Sequence, residues 1–254
     1  MKNSQHPKVV SIIPIRNESK IIKSLYQNIE KFVNKNPDYS FILALDNCTD
    51  GTLEILKQAL NNENISFYES DSHPGYGNIV RFGCTKAHSL GFEWALIIDS
   101  DLSSPLAEIP KISEVISTVI NPRVVIIKGN RFDSVKPDFI GVPLKRLILS
   151  KAANKFTRIL GSSYSKDLTN GFRAVNLKWF MNENFKESGF SSIMEEAYKA
   201  ISGGNLILDF KTSLRYDIAI RNESSFTFQP KILLSYAWYT VKIWGVFIQQ
   251  KRKM

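Results

Sequence analysis

Apolar runs of five or six residues alternate, along the first half of the chain, with stretches where apolar positions recur every three or four residues. Val9-Val10-Ser11-Ile12-Ile13-Pro14 has the nearly unbroken apolar character of a strand covered on both faces. From Ser19 the period changes, and Ile21, Ile22, Leu25, Ile29 and Phe32 fall on one side of a helix. Residues 41–45 predict a second strand ending at Asp46. Asp50-Gly51-Thr52 opens a second helix that carries Leu53, Leu56 and Leu60 on one face. Residues 65–68 predict a third short strand, and Pro74-Gly75-Tyr76-Gly77 leads into a helix ending near Gly91. Trp94-Ala95-Leu96-Ile97-Ile98 and residues 124–127 predict the fourth and fifth strands. Strands alternating with helices predict βαβ units, a parallel sheet and right-handed crossovers.

The polar residues that close these strands carry the next inference. Glu18 follows strand one, Asp46 follows strand two, and Asp99 and Asp101 follow strand four. Ligands of open α/β sheets lie beyond the carboxyl ends of the strands, so these acids are expected to line one crevice. A carboxylate accepts from a base N–H or a ribose hydroxyl. Two carboxylates separated only by Ser100 suit Mg²⁺ or Mn²⁺, with phosphate oxygens completing the shell. The alternative for the pair is a turn in which Asp101 or Ser103 caps a helix starting near Pro105. Asp50 reads more simply as a helix cap than as a ligand.

Composition adds a compartment and a partner class. At 254 residues, with 43% hydrophobic and 22% charged residues, the chain is long enough for a full core in one soluble domain. The net charge of +9 is concentrated: residues 128–173 hold ten Lys/Arg against three Asp. That excess predicts a phosphate-bearing partner or an anionic membrane surface on the second half. No nucleic-acid motif accompanies it, and nucleic acid is not expected as a partner. Cys48 and Cys84 have neither metal spacing nor a disulfide framework, which favours a reducing compartment. His6, His73 and His88 form no cluster, and the polar residues 1–8 give no signal-peptide core.

Three segments in order then carry a resemblance. Ser11-Ile12-Ile13-Pro14-Ile15-Arg16-Asn17-Glu18, Leu45-Asp46-Asn47-Cys48-Thr49-Asp50-Gly51-Thr52 and Asp99-Ser100-Asp101-Leu102-Ser103 resemble the inverting GT-A glycosyltransferases of family 2. The resemblance implies a GT-A, Rossmann-like α/β fold whose mixed, mostly parallel sheet is flanked by helices. It implies that Glu18 and Asp46 hold the nucleoside of the donor, with Pro14, Arg16, Asp99 and Ser100 beside it. Asp99 and Asp101 match the Asp-x-Asp metal motif. In the second segment the family usually has two acids followed later by Gly-Ser, where this chain has Leu45-Asp46 and Asn47-Cys48, so one nucleoside-facing acid stands in place of two.

The second half is similar to the polyprenyl-phosphate branch of that family, the dolichyl-phosphate mannose synthase group. Gly129-Asn130-Arg131-Phe132 resembles its Gly-Ser-Arg-Tyr motif, and Asp167-Leu168-Thr169-Asn170-Gly171-Phe172-Arg173 its Asp-x-Thr-Ser-Gly-Phe-Arg segment. Gly189-Phe190 with Glu195 resembles the Gly-Phe-x-x-x-x-Glu pattern that follows. Residues 144–160 read as a helix with Arg146, Ser150 and Asn154 along one ridge. The resemblance assigns Arg146 and Ser150 to the acceptor phosphate, whereas the spacing alone reads more simply as a solvated face. Arg173 reads as a structural residue that holds its loop by pairing with a carboxylate. Arg221 is carried over from an Arg-x-Gly-x-Ser-Lys motif whose Gly and Lys are absent here. The resemblance spans roughly residues 8–228, which makes 1–228 the glycosyltransferase domain and 229–254 a helical tail.

That tail is apolar almost all round over residues 232–248 and includes Tyr236, Trp238, Tyr239 and Trp244. Seventeen helical residues span about 26 Å, short of a bilayer core of about 30 Å. Lys242 in its middle and Lys251-Arg252-Lys253 at its end predict an amphipathic helix lying in a membrane interface, with packing on the domain as the alternative.

The implied reaction is metal-dependent transfer of a hexose, with inversion, from a GDP-mannose or UDP-glucose type donor to a polyprenyl or dolichyl phosphate. Arg131, Arg146, Ser150 and Arg221 would hold phosphates, with Asp101, Arg131 and Arg221 nearest the chemistry. The expected location is peripheral, on the cytoplasmic face of a membrane. Transfer to a carbohydrate hydroxyl is the alternative on the same fold, and it needs a base, for which Asp167 and Glu195 are candidates. A non-catalytic membrane-surface or RNA-binding protein would leave the acids at the strand ends unexplained.

Overall fold

The computed structural model describes residues 7–59, 61–102, 104, 106–131, 139–140, 165–212, 214–215 and 230–251. Nine strands are assigned among them: β1 (Val9–Ile15), β2 (Ser40–Asp46), β3 (Ile65–Ser70), β4 (Trp94–Ile97), β5 (Val124–Asn130), β6 (Phe139–Ile140), β7 (Arg173–Asn176), β8 (Leu206–Lys211) and β9 (Leu214–Arg215). The helices are α1 (Ile22–Lys35), α2 (Thr52–Ala59), α3 (Tyr76–Ser89), α4 (Glu108–Thr118), α5 (Leu177–Asn182), α6 (Ser192–Ser202) and α7 (Pro230–Lys251). Seven strands form one sheet in the order β3-β2-β1-β4-β7-β5-β8, and β6 and β9 pair separately.

The sheet is parallel as the alternation predicts, with one exception. The pairs β1/β2, β2/β3, β1/β4 and β5/β8 are parallel, whereas β7 runs antiparallel between β4 and β5. Nothing in the sequence marks β7 as a strand, because four residues headed by an arginine do not make a strand signal by themselves.

Each central strand sends alternate residues to opposite faces, and both faces are covered. On one face Ile13, Ile15, Leu43, Leu96 and Ile127 pack with Ile22, Leu25 and Ile29 of α1, Leu56 of α2 and Ile112 of α4. On the other, Ile12, Ala44, Ile97 and Val175 pack with Val80 and Cys84 of α3, Met194 and Ala197 of α6, and Ile243 of α7. The result is three layers around the sheet.

Two predicted boundaries shift. The first helix begins at Ile22, not Ser19, because residues 18–21 form a turn in which the Glu18 carbonyl accepts from Ile21 and Ile22. Helix α4 begins at Glu108, with Ala107 as its N-cap and no side-chain capping bond, so Asp101 does not cap it; Ser103 lies outside the described residues.

Helix α7 runs 22 residues and packs on α6 along one side. Tyr239 and Ile243 belong to the buried core there. No helix among the described residues is long and apolar enough to cross a membrane. Ile243→Ala is expected to lower unfolding stability by about 2–5 kcal/mol, measured by urea denaturation, because it empties a buried site in that core. A change under about 0.5 kcal/mol, the size of a surface substitution, would mean that α7 is not part of the cooperative unit.

Candidate functional site

The order β3-β2-β1-β4 reverses direction at β1: β2 and β3 lie to one side of it, β4 to the other. At such a switch point the strand ends part and leave a crevice. The β1/β4 ladder covers only Val9 to Ile12, and the Ile98 amide adds one more bond, to the Ile12 carbonyl. Pro14, without an N–H, sits beyond the last β4 partner, where no ladder donor is needed. Glu18 leaves β1 and Asp99, Ser100 and Asp101 leave β4, so the predicted acids flank one opening.

Their contacts tie the two strand ends together. Ser100 Oγ donates to Glu18 Oε1 at 2.9 Å, with both residues buried. The Glu18 amide donates to Thr52 Oγ1 at 2.9 Å, joining the β1 turn to the start of α2. Asp50 caps that helix: its carboxylate accepts from the Thr52 amide and hydroxyl and from the Ser19 amide. Burial pushes the Asp50 carboxyl up, but these bonds outweigh it and hold the group at about 2.

Asp46, at the end of β2, is buried and only half satisfied. Its Oδ2 accepts from the Gly75 amide at 2.9 Å and lies 3.7 Å from Arg16, whose side chain is half exposed and therefore weakly paired. Its Oδ1 is buried with no hydrogen-bond partner among the described residues. An unmet buried carboxylate oxygen is costly, and a ligand N–H or O–H would offset that cost. Gly75 has φ +152°, and a Cβ there would collide with the Ser188 carbonyl, so only glycine brings its amide to Asp46.

Backbone strain collects around the same acids. Among the described residues the three non-glycine positions with positive φ are Asn17, Asn47 and Leu102, at 53°, 48° and 54°. Each adjoins an acid of the crevice: Glu18, Asp46 and Asp101. Asparagine tolerates this region, whereas leucine is held there at a cost, as is common at functional sites.

Asp101 is buried and Asp99 half buried. Gly171 crosses close to Asp99: a Cβ on it would stand 3.3 and 3.4 Å from the two carboxylate oxygens and 3.6 Å from the Tyr76 hydroxyl. The next residue but one, Arg173, has no solvent exposure. It donates from Nε and Nη2 to both oxygens of Glu196 at 2.5 and 2.6 Å, and from Nη1 to the Gly171 carbonyl at 2.7 Å and the Tyr76 hydroxyl at 3.3 Å. Arg173 is thus the structural residue that its sequence context predicts, and the pairing carboxylate is Glu196. The ring of Tyr76 stacks on Phe190 at 4.5 Å, and burial pushes its phenol up.

Among the described residues no group of three or more His, Cys, Asp and Glu gathers as a metal cage. Two carboxylates on one strand end still fit Mg²⁺ or Mn²⁺, which take one or two protein carboxylates when substrate phosphates fill other positions.

In the basic half of the site Arg131 is paired with a carboxylate. Its Nε and Nη2 form a buried two-pronged pair with Asp167 at 2.6 and 2.9 Å, and Nη2 also meets Thr169 Oγ1 at 3.3 Å. That pair binds the β5 end to the 167–170 turn. Asn130 donates to Asp209, and Asn170 to the Gly129 carbonyl, completing that junction. Glu195 accepts from the amides of Lys186 and Glu187 and shapes the loop that carries Phe190. Arg146, Ser150, Asn154 and Arg221 lie outside the described residues, as do Phe132 and Ser103.

A profile of the family described as Glycosyl transferase family 2 matches residues 11–183. A relative from Methanococcus voltae, named UDP-N-acetylglucosamine--dolichyl-phosphate N-acetylglucosaminyltransferase, is 28% identical over 178 residues, covering 65% of this chain and 68% of its own length. Glucosyl-3-phosphoglycerate synthase from Mycobacterium tuberculosis, solved with Mn²⁺, UDP-glucose and phosphoglyceric acid, superposes with a TM-score of 0.66 at 13% identity, over 94% of this chain and 79% of that one. A mannosyltransferase from Pyrobaculum calidifontis, solved with GDP-mannose and Mn²⁺, gives a TM-score of 0.58 at 13% identity, over 96% and 65%. The shared fold of these solved structures is that of GT-A glycosyltransferases.

One residue beside the site escaped sequence reading although a signal was present. Lys128 interrupts the apolar run of β5, stands between Arg173 and Asp209 in the ladders, and is almost completely buried. Burial, and then the Arg173 guanidinium, push its amine down to about 7, against the pull of Glu196 and Asp167. A base with a lowered folded pKa gives stability that is fully present above the unfolded value, near 10.5, and is lost as pH falls through 7. Unfolding stability is therefore expected to decline from pH 10 to pH 7, by Tm, to the extent set by this group. Lys128→Met should flatten that part of the profile and raise Tm at pH 7; an unchanged profile would remove Lys128 as its source.

Proposed function

We propose, for a chain that belongs to glycosyl transferase family 2 and is a glycosyltransferase, that it moves a hexose from a nucleotide-diphosphate sugar to a polyprenyl phosphate with inversion at the anomeric carbon. The observation that carries the acceptor half is the state of the carboxylates in the second half of the chain. A hydroxyl acceptor needs a base, yet both candidates are committed: Asp167 to Arg131, and Glu195 to two backbone amides. A phosphate acceptor is already ionised near neutral pH and needs none. The Methanococcus voltae relative is named for transfer to dolichyl phosphate, which supports the same reading.

On the donor side, Asp46 supplies the unmet acceptor for a base or ribose group, with Pro14, Arg16, Glu18 and Ser100 lining the crevice beside it. The donor is of the GDP-mannose or UDP-glucose type, the two classes present in the similar structures. Asp99 and Asp101 would hold Mg²⁺ or Mn²⁺; the similar structures were solved with Mn²⁺. When bound, such an ion neutralises charge on the departing nucleoside diphosphate. The chain's own part is orientation. Gly171 and Tyr76 confine Asp99, and the Ser100–Glu18 bond fixes the distance between the two strand ends. On the acceptor side Arg146, Ser150 and Arg221 position the lipid phosphate, and Arg131 acts through the turn it braces. The polyprenyl chain places the enzyme at a membrane surface, peripherally and on the cytoplasmic face.

The test is a panel of GDP- and UDP-sugars offered with a short polyprenyl phosphate, the product identified by mass. A glycosylated prenyl phosphate is expected, lost with EDTA and restored by Mg²⁺ or Mn²⁺; Asp101→Asn should abolish it with the fold intact. Sugar found only on a carbohydrate hydroxyl would replace this reading with the alternative.

Arg146→Ala is expected to raise KM for the prenyl phosphate, and more than Ser150→Ala does, since a charge-assisted bond is about twice as strong as a neutral one. KM for the donor should change little in either. Equal effects on both substrates would return these residues to a solvated face.

A further inference from the structure

We infer, on the sugar-nucleotide reading above, that Tyr76, Gly171 and Asp99 form the subsite for the transferred hexose, with the Tyr76 phenol as the donor to one of its hydroxyls.

The three residues come together from separate elements. Asp99 follows β4, Tyr76 opens α3, and Gly171 lies two residues before β7. A Cβ on Gly171 would stand 3.3 and 3.4 Å from the two Asp99 oxygens and 3.6 Å from the Tyr76 hydroxyl, so three oxygens converge on one small space. A methyl group is crowded there, whereas a hydroxyl oxygen bonds other oxygens at about 2.7–2.8 Å and is accommodated. Asp99, Tyr76 and Gly171 are each half buried, while Ile98, Ser100, Phe172 and Arg173 beside them are buried. The space therefore opens on the crevice and not into the core.

Its hydrogen-bonding capacity suits an alcohol. The Tyr76 hydroxyl accepts from Arg173 Nη1 at 3.3 Å, which occupies a lone pair and turns its proton away from the guanidinium. Among the described residues that hydroxyl donates no hydrogen bond. Burial pushes the phenol up, so the proton stays on the oxygen. Opposite it the Asp99 carboxylate can only accept. A sugar hydroxyl accepts and donates at once and so serves both walls. A phosphate oxygen, ionised near neutral pH, has no proton to give the carboxylate. Arg173 also donates to the Gly171 carbonyl, so one buried, ion-paired guanidinium sets the positions of both Tyr76 and Gly171.

The surface next to these oxygens is aromatic. The Tyr76 ring stacks on Phe190 with centroids 4.5 Å apart and planes 21° from parallel, and Phe190 is itself half buried. Tyr236 fixes this pair from α7 by donating to the Phe190 carbonyl at 3.2 Å. A hexose has an apolar C–H face and a polar rim, and a rigid aromatic pair beside one donor and one carboxylate matches both. The Asp99 carboxylate has oxygens enough to meet a sugar hydroxyl and a metal ion together.

Calorimetric titration of the full chain with Mn²⁺ present tests this, comparing UDP with UDP-glucose and GDP with GDP-mannose. Tyr76→Phe keeps the ring stack and removes only the hydroxyl. It should weaken the more tightly bound of the two sugar nucleotides about two- to ten-fold, the loss of one hydrogen bond, and leave the affinity for the matching bare nucleotide unchanged. Gly171→Ala fills the space without altering the phenol; it should weaken the same sugar nucleotide at least as much and again spare the bare nucleotide. Equal weakening of nucleotide and sugar nucleotide would mean that these residues serve only to confine Asp99, and would overturn the subsite. Unchanged affinity for both in the two variants would overturn it as well. If the variants separate sugar nucleotide from nucleotide while no sugar reaches a prenyl phosphate, the proposed acceptor fails and the subsite stands. Prenyl-phosphate product without that separation would do the reverse.

Discussion

Arg173 and Glu196 form an ion pair from which water is excluded, and the arrangement of the crevice depends on it. Removing two charges from water costs several kcal/mol per ion, so the pair persists only because its geometry is nearly saturated. Both carboxylate oxygens accept from the guanidinium, and the remaining Nη1 is divided between the Gly171 carbonyl and the Tyr76 hydroxyl. Through those four bonds one side chain on β7 ties together α6, α3 and the turn that passes Asp99. Loss of either partner would strand a buried charge, at a cost on the order of 3–5 kcal/mol. The antiparallel direction of β7 follows the same requirement, since it brings Arg173, its first residue, to the crevice end of the sheet beside Ile97.

Around that pair the charges are sorted by side. The carboxylates of Glu18, Asp46, Asp99 and Asp101 gather where β1, β2 and β4 end, while Lys128, Arg131 and Arg173 occupy β5, the residue after it and β7. The proposed reaction brings two like-charged substrates close together and so asks for cations opposite the acids, but Arg173 is itself paired with Glu196. Arg131 shows the limit of such reasoning from composition. Its charge is part of the basic half, but it is neutralised by Asp167 and acts as a brace. In the proposed reaction the acceptor phosphate is met instead by Arg146, Ser150 and Arg221.

Helix α7 is tied to the domain along one side only. A helix hydrophobic all round has to be surrounded by something other than water. Here the domain surrounds one side, through Tyr236, Tyr239 and Ile243, and leaves Leu234, Trp238 and Val241 exposed. Of the two readings offered by its sequence, the structure shows the packing on the domain.

Local sequence was enough for the elements that repeat a period. The alternation of apolar strands with one-faced helices identified β1 to β5 and α1 to α3, and a polar residue at each strand end located the crevice, because both follow from contacts between near neighbours in the chain. The family likewise was legible, since its motifs are short and contiguous. What the sequence could not supply was pairing between distant residues. Glu196 as the partner of Arg173, Asp167 as the partner of Arg131, Gly75 as the donor to Asp46, and the insertion of β7 between β4 and β5 each join segments separated by 20 residues or more. A charge in a sequence carries no mark of which opposite charge it will meet. Only the packed sheet, by burying both and excluding water, makes one partner far better than the rest.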